Sequence, residues 1–196
     1  MGHDTSRAVR VKAGLTAKLA NQLGSLLMIR PILRYGQSPL HQPAAAVPVV
    51  DEETQQLVDD MIETMYAAPG VGLAATQIGV PRRVFVVDVS LGRRAADLIV
   101  MINPVFVERE GMQLEEEGCL SVPGFNATVV RPARAVVRGL DRTGREYTVE
   151  GRELLARALQ HEMDHLDGTV FVDRLRGIKK DLIVRKIQKL KRTGRW

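Results

Sequence analysis

The spacing of apolar residues along the chain predicts three helices. Residues 51–68 have acids in the first turn and then apolar side chains every three or four positions, which indicates an amphipathic helix. The segment ELLARALQHEMDHL, from Glu153, has the same spacing and lies between two glycines, which predicts a second helix. A terminal helix is expected from about 178 to 191.

Four β-rich runs lie between the first two helices, beginning near 84, 98, 127 and 145. The segments AVVRGL and REYTVE flank the turn-forming DRTG, which predicts a β-hairpin. Because the strands are grouped between helices and do not alternate with them, the predicted fold class is α+β with antiparallel β-sheets.

Length and composition favour one globular domain without a membrane span. A chain of 196 residues is long enough for one full hydrophobic core and short for two. Apolar residues make up 45% and charged residues 26%, and no apolar run reaches the roughly 18 residues of a membrane span. A single cysteine forms no internal disulfide, so we expect a cytoplasmic protein with no membrane partner.

Residues 1–27 differ from the rest of the chain. They are basic, contain Asp4 as their only acid, and precede Met28, which could itself be an initiator. They lack the apolar core and cleavage site of a secretory signal. We therefore expect an extension outside the core and a single domain over 28–196, with an organelle transit peptide as the alternative.

Basic residues crowd the end of the chain, after position 173, where Asp181 is the only acid. A solvated helix face explains such a run. Contact with a nucleic acid or another polyanion is the alternative.

The predicted second helix contains QHEMDHLDG. His161 and His165 lie four positions apart, on one helix face, where two imidazoles can converge on one ion. Glu162 lies between them, placed to reach a metal-bound water without being a ligand. The pattern is typical of a hydrolytic metal site.

Two histidines leave a catalytic ion in need of a third protein ligand. The acids after the second histidine are Asp167, Asp173 and Asp181, and no further histidine follows. Upstream, Cys119 stands in EEEGCLSVPG, an irregular segment that allows close backbone approach. A lone cysteine is also commonly a small buried hydrophobe, and the residues alone leave both interpretations open.

A third segment, GVGLAATQIGV from Gly70, contains G-x-G-x-x-A, with Asp88 about twenty positions further on. A dinucleotide fingerprint must follow a strand and open a helix, but here a helix and Pro69 precede the segment and Pro81 interrupts any helix after it. The segment better suits a wall that grips a peptide backbone, with Gln77 as a hydrogen-bond donor.

Together, GVGLAATQ at 70–77, EGCLS at 117–121 and QHEMDHLDG at 160–168 resemble the three motifs of the peptide deformylase family. The resemblance covers about residues 28–192 and implies antiparallel β-sheets around a central HExxH helix, with an N-terminal amphipathic helix and a C-terminal helix. It implies an enzyme that removes the N-formyl group from the formylmethionine of newly made polypeptides and releases formate. The residues 1–27 have no counterpart in the family's pattern.

The resemblance also implies roles for individual residues. It assigns the metal to Cys119, His161 and His165, and general acid/base catalysis to Glu162 during attack by metal-bound hydroxide. It assigns the oxyanion to Gln77 and to the backbone N–H of Leu120.

Leu154, Arg157 and Ala158 lie one and two turns before the first histidine on the same helix face. With Val71 they are expected to shape the methionine pocket. Further candidates for substrate binding are Gly72, Glu117 and Gly118.

The three ligands alone do not decide which ion is bound in the cell. Zinc binds such a site more tightly than ferrous iron, so occupancy depends on supply. The resemblance implies Fe²⁺ in the cell, with Zn²⁺, Ni²⁺ or Co²⁺ as substitutes. Expected partners are formyl-Met nascent peptides and, through the basic C-terminal helix, the ribosome near its exit tunnel. The oligomeric state is not specified, and a monomer is expected.

Two other functions fit part of the pattern. An HExxH metallopeptidase would take its third ligand from downstream of the helix and would not need Cys119. A non-enzymatic, ribosome-associated metal protein would surround the ion with four protein ligands.

Overall fold

The computed structural model describes residues 28–196, so the predicted extension lies outside the described residues. Over the described residues there are seven strands and four α-helices. The strands are β1 (Gly72–Ala74), β2 (Val84–Val87), β3 (Ile99–Glu110), β4 (Gln113–Gly118), β5 (Asn126–Arg131), β6 (Arg134–Leu140) and β7 (Glu146–Arg152). The helices are α1 (Glu52–Ala67), α2 (Glu153–Leu166), α3 (Phe171–Arg174) and α4 (Gly177–Arg192).

The strands form two antiparallel sheets, which confirms the predicted α+β class. The larger sheet has the order β1-β2-β3-β6-β7, and the smaller pairs β4 with β5. The predicted hairpin is β6–β7, and its turn is held by Asp141, whose carboxylate accepts a hydrogen bond from the Thr143 amide at 2.7 Å.

The β-rich run that begins near 127 divides into β5 and β6, which belong to different sheets. Pro132 lies between the two strands. Because proline has no N–H to donate to a ladder, the chain leaves one sheet there and enters the other.

Helix α1 forms as predicted. Asp51 caps its first turn by accepting a hydrogen bond from the Thr54 amide at 2.9 Å. Its apolar face is buried against the larger sheet through Leu57, Val58, Met61 and Met65. This packing places the segment from Gly70, which contains β1, beside α1.

Helix α2 runs through the centre of the molecule. Every residue from Ala156 to Leu166 is buried. Ala158, Leu159 and Met163 pack against residues of the larger sheet such as Phe85. Because a helix buried on all sides must satisfy its polar side chains inside the protein, the polar residues of α2 need internal partners.

Helix α4 is amphipathic and rests on the protein by one narrow face. Ile187 is buried among residues that include Phe125 and Phe171. Beyond the helix, the Trp196 indole donates to the Tyr35 carbonyl at 3.1 Å. Among the helices that the structure describes, none has the length and apolar content needed to cross a membrane.

Candidate metal centre

The smaller sheet and the central helix bring three possible metal ligands together. Cys119 directly follows β4, while His161 and His165 project from α2. The Cys119 sulfur lies 3.2 Å from His165 Nε2, which lies 3.2 Å from His161 Nε2. Within the part of the chain that the structure describes, this is the one group of histidine, cysteine and acidic residues whose ligand atoms converge in this way, all within 4.8 Å of one another.

The chemistry of these three donors fits a divalent ion. A thiolate and two imidazole nitrogens form a set that suits zinc or iron and leaves a position for water. Two of the three downstream acids are engaged elsewhere: Asp167 pairs with Arg83 at 2.8 Å, and Asp173 accepts a hydrogen bond from the Tyr35 hydroxyl at 2.8 Å. The third, Asp181, lies exposed on α4 and is not part of the convergent group. The convergent set therefore contains the upstream cysteine and not a downstream carboxylate.

Glu117 orients one of the two histidines. Its Oε1 lies 2.5 Å from His161 Nδ1, and Arg131 donates to both carboxylate oxygens, at 2.5 and 2.7 Å. Burial alone would raise the pKa of Glu117, but the hydrogen bonds from Arg131 and His161 outweigh burial and hold that pKa well below its usual range. A charged Glu117 fixes the proton of His161 on Nδ1 and turns the Nε2 lone pair towards the other donors.

Glu162 is buried beside the cluster and is only 3% exposed. Its Oε2 atom has no hydrogen-bond partner among the described residues. Burial is the main cause that raises the pKa of Glu162 to about 7, which is the range in which a carboxylate can both accept and return a proton near neutral pH. Gly72 faces this carboxylate so closely that a Cβ atom at position 72 would collide with it.

Gln77 lies beside the Cys119 end of the cluster. Its segment forms β1 and then a 3-10 turn at Ala75–Ile78, in agreement with the expectation that no dinucleotide-binding helix follows the glycines. The Gln77 Oε1 accepts from the Ala74 amide at 2.8 Å, which directs Nε2 towards Ser121 Oγ at 3.2 Å and the Cys119 sulfur at 3.6 Å. The amide is thus fixed as a donor beside the candidate metal position.

A cavity of about 330 Å³ opens onto this cluster. The predicted residues that line it are Val71, Gly72, Gln77, Glu117, Gly118, Cys119, Leu120, Leu154, Arg157, Ala158, His161 and Glu162. His165 is the one predicted site residue that is not in the lining, and it is completely buried. Pro69, Gly70 and Glu116 complete the wall and were not predicted.

Two of the predicted pocket side chains contact each other inside this wall. Arg157 donates to Glu117 at 3.0 Å, and both residues are buried. The carboxylate of Glu117 is therefore occupied by His161 and two arginines, whereas Leu154 stands 52% exposed at the rim.

The sequence analysis assigned no role to Arg131, Ser121, Asp164 or Arg174, which support the site. Arg131 is 2% exposed and bonds both Glu117 and Asp164, the latter at 2.9 Å. Asp164 lies between His161 and His165 in the HExxH motif, and this position was the available signal that it supports the site. Its side-chain partners Arg131 and Arg174 lie 33 and 10 residues away along the chain, beyond the reach of the helical repeat, so no local pattern identifies them.

Three comparisons with known proteins agree with this geometry. The sequence profile of the polypeptide deformylase family matches residues 29–181. The chain is 48% identical over 170 residues to a peptide deformylase of Acidobacterium capsulatum, covering 87% of this chain and 100% of the relative.

Solved structures give the same result. A peptide deformylase from Legionella pneumophila superposes with a TM-score of 0.79 at 45% identity, covering 85% of this chain and 97% of that one. One from Synechococcus elongatus, in complex with actinonin, has a TM-score of 0.78 at 37% identity, covering 84% and 91%. The resemblance of the three motifs is thereby confirmed over most of the described residues, and the chain belongs to the polypeptide deformylase family.

Proposed function

We propose that this protein is a metal-dependent hydrolase that removes the N-formyl group from the formylmethionine of newly made polypeptides and releases formate, and that residues 28–196 form its single catalytic domain. The observation that carries the proposal is the convergence of Cys119, His161 and His165 beside the buried carboxylate of Glu162, at a cavity large enough for a peptide terminus. Membership of the family supports the same activity.

The three convergent residues would hold the ion. A divalent ion bound there supplies Lewis acidity and lowers the pKa of a coordinated water from 15.7 towards about 7. Glu162 would accept the proton of the attacking water and return it to the amine that leaves when the formyl C–N bond breaks. The Nδ1 proton of His161, held by Glu117, would leave the Nε2 lone pair free to bind the ion.

Gln77 and Leu120 are proposed to stabilise the oxyanion. The Gln77 Nε2 is held beside Cys119 by the hydrogen bond that its Oε1 accepts from Ala74. Leu120 follows Cys119 directly and lines the cavity, and its backbone N–H is the second proposed donor. Loss of one such donor commonly costs about 3 to 4 kcal/mol of transition-state stabilisation.

The apolar walls of the cavity are proposed to accept the methionine side chain. Val71, Leu154 and Ala158 provide the apolar surface, and Gly72 and Gly118 offer backbone groups. The relative from Synechococcus elongatus was solved in complex with actinonin, which supports a ligand-accepting cavity in this family.

Ferrous iron is the proposed ion in the cell, with zinc, nickel or cobalt as substitutes. The affinity order alone favours zinc over iron, so occupancy depends on supply. With ferrous iron bound, peroxide would be expected to oxidise the site, since the Cys119 thiolate would lie beside a redox-active ion, is half-buried and lines an open cavity.

The two alternative functions lack support at the site. A metallopeptidase with a downstream ligand conflicts with the ion pair of Asp167 and the hydrogen bond of Asp173. A structural metal site conflicts with the presence of three convergent donors and not four among the described residues.

Formate release from formyl-Met-Ala-Ser tests the proposed function directly. Protein purified without oxygen and loaded with Fe²⁺ is expected to release formate from this peptide. Met-Ala-Ser without the formyl group, assayed for new amino termini, is the control for peptidase activity. A folded, metal-loaded protein that releases no formate, or that cleaves the control peptide, would contradict the proposal.

The basic C-terminal helix is proposed to bind the ribosome near its exit tunnel, in the cytoplasm, where formylated chains emerge. Its outward residues Arg185, Lys186, Lys189, Lys191 and Arg192 are all exposed. Ribosomal RNA presents a dense array of phosphates, which such a face attracts in a salt-dependent manner.

Charge reversal on this face is expected to weaken ribosome binding without affecting hydrolysis. In the triple variant R185E/K189E/R192E, affinity for the ribosome at about 0.15 M salt should fall at least about tenfold. This affinity should also depend less steeply on salt concentration, since phosphate contacts are lost. Cosedimentation measures binding, and formyl-Met-Ala-Ser turnover measures the active site. The control R138E/R145E/R152E reverses three arginines of the β6–β7 hairpin, and equal loss in both variants would contradict docking through α4.

A further inference from the structure

An arginine outside the cavity is tied to the candidate metal centre. Arg174 ends the one-turn helix α3, and its side chain is 43% exposed. Its guanidinium nevertheless donates from Nε and Nη2 to the two carboxylate oxygens of Asp164. The Asp164 side chain is only 9% exposed. Arg174, which reaches solvent, therefore makes two hydrogen bonds to a buried carboxylate.

The hydrogen bonds continue inward from Asp164 without a gap. Asp164 Oδ2 also accepts from Arg131 Nη1 at 2.9 Å. The other side of the Arg131 guanidinium donates to Glu117, whose Oε1 lies 2.5 Å from His161 Nδ1. Arg174 is thus joined to a proposed metal ligand through three intervening charged side chains.

The charges explain why the outermost arginine matters. Without it, Arg131 would be the one remaining cation bonded to Asp164 among the described residues, and Arg131 already makes two bonds to Glu117. The planar guanidinium of Arg131 presents its donors in a fixed geometry, so a shift of Asp164 would rotate the whole guanidinium. A rotated Arg131 would change how Glu117 faces the imidazole.

We propose that Arg174 is a positioning residue that sets the orientation of His161 through Asp164, Arg131 and Glu117. The inference rests on the proposed role of His161 as a metal ligand. Arg174 does not line the cavity, so it acts on the metal centre and not on the bound peptide.

Substitution of Arg174 is therefore expected to weaken metal binding. Loss of a direct partner of a metal-ligating histidine typically lowers metal affinity about 10- to 100-fold, and a more remote partner should have a smaller effect, about three- to tenfold. In R174A, chelator competition should show this weaker affinity for Co²⁺, and the visible absorption of bound Co²⁺ should shift. The value of kcat should fall while KM stays the same, and R174K, which keeps a cation, should recover part of each change.

Arg134 supplies a matched control. It forms ion pairs with three carboxylates of the larger sheet, Glu108, Glu110 and Glu150, and does not line the cavity at the metal centre. The variant R134A therefore loses at least as many ion pairs without a connection to His161. We expect its Co²⁺ affinity and absorption to match those of the unsubstituted protein.

The outcomes separate this inference from the proposed function. Unsubstituted protein that binds no Co²⁺ or releases no formate would refute the proposed function itself. An active unsubstituted protein combined with unchanged Co²⁺ affinity and absorption in R174A, or with equal changes in R134A, would refute the positioning role alone. Should R174A be unfolded by circular dichroism at the assay temperature, R174Q takes its place under the same criteria.

Discussion

Replacing Glu162 with glutamine is expected to reduce formate release at least about a thousandfold, because a positioned general acid/base contributes about 10²- to 10⁴-fold and this residue is proposed to act in two proton transfers. Glutamine has nearly the same shape as glutamate, so the cavity and the cluster of Cys119, His161 and His165 should be preserved. The amide neither accepts the proton of the attacking water nor returns it to the leaving amine. Turnover of formyl-Met-Ala-Ser and metal content should be measured on the same preparation.

Glu116 provides the control for this substitution. It is an exposed carboxylate that lines the same cavity. The variant E116Q removes one negative charge from the cavity without affecting the metal centre, and its turnover should stay within about threefold of the unsubstituted protein. Activity above one tenth in E162Q, with the metal retained, would exclude Glu162 as the acid/base.

Replacing Cys119 with serine is expected to lower metal affinity more than about 100-fold, beyond the typical effect of an outer hydrogen-bond partner, and to reduce formate release in proportion. A hydroxyl stays protonated at neutral pH, whereas the ligand form of cysteine is a soft thiolate that suits iron and zinc. The two histidines of α2 would remain as a weak pair. Metal content after dialysis and turnover as a function of added Co²⁺ measure the effect.

Added metal separates ligand loss from misfolding in this variant. If Cys119 is a ligand, excess Co²⁺ should restore part of the turnover of C119S, since the remaining ligands still bind at high concentration. Full activity and unchanged affinity in C119S would instead indicate a third ligand downstream, as the metallopeptidase alternative requires. Near-ultraviolet circular dichroism confirms that the fold is intact.

Local patterns in the sequence predicted helices α1, α2 and α4 and much of the chemistry, but not the one-turn helix α3. The three-to-four spacing of apolar residues predicted α1 and α2, and the two glycines around ELLARALQHEMDHL marked the ends of α2. The four-residue interval between His161 and His165 alone placed both imidazoles on one face. These features depend on helical geometry, which repeats over a few residues and is therefore visible in the sequence.

Tertiary structure decided what the local patterns left open. From its neighbours alone, Cys119 fitted both a ligand and a buried hydrophobe, and only the tertiary structure brings its sulfur to 3.2 Å from His165 Nε2. The spacing of apolar residues likewise did not show that the run from 127 divides into strands of two sheets, because β5 and β6 have the same two-residue strand repeat.

The sequence by itself thus determined the fold class, the HExxH pair and the family resemblance. Only the tertiary structure decided that Glu117 serves His161, and that Arg131, Asp164 and Arg174 support Glu117. These partners come from β4, β5, α2 and α3, and charged side chains give no sequence signal of which distant partner they will meet. Burial forces them together, because a carboxylate or guanidinium removed from water is stable only beside an opposite charge.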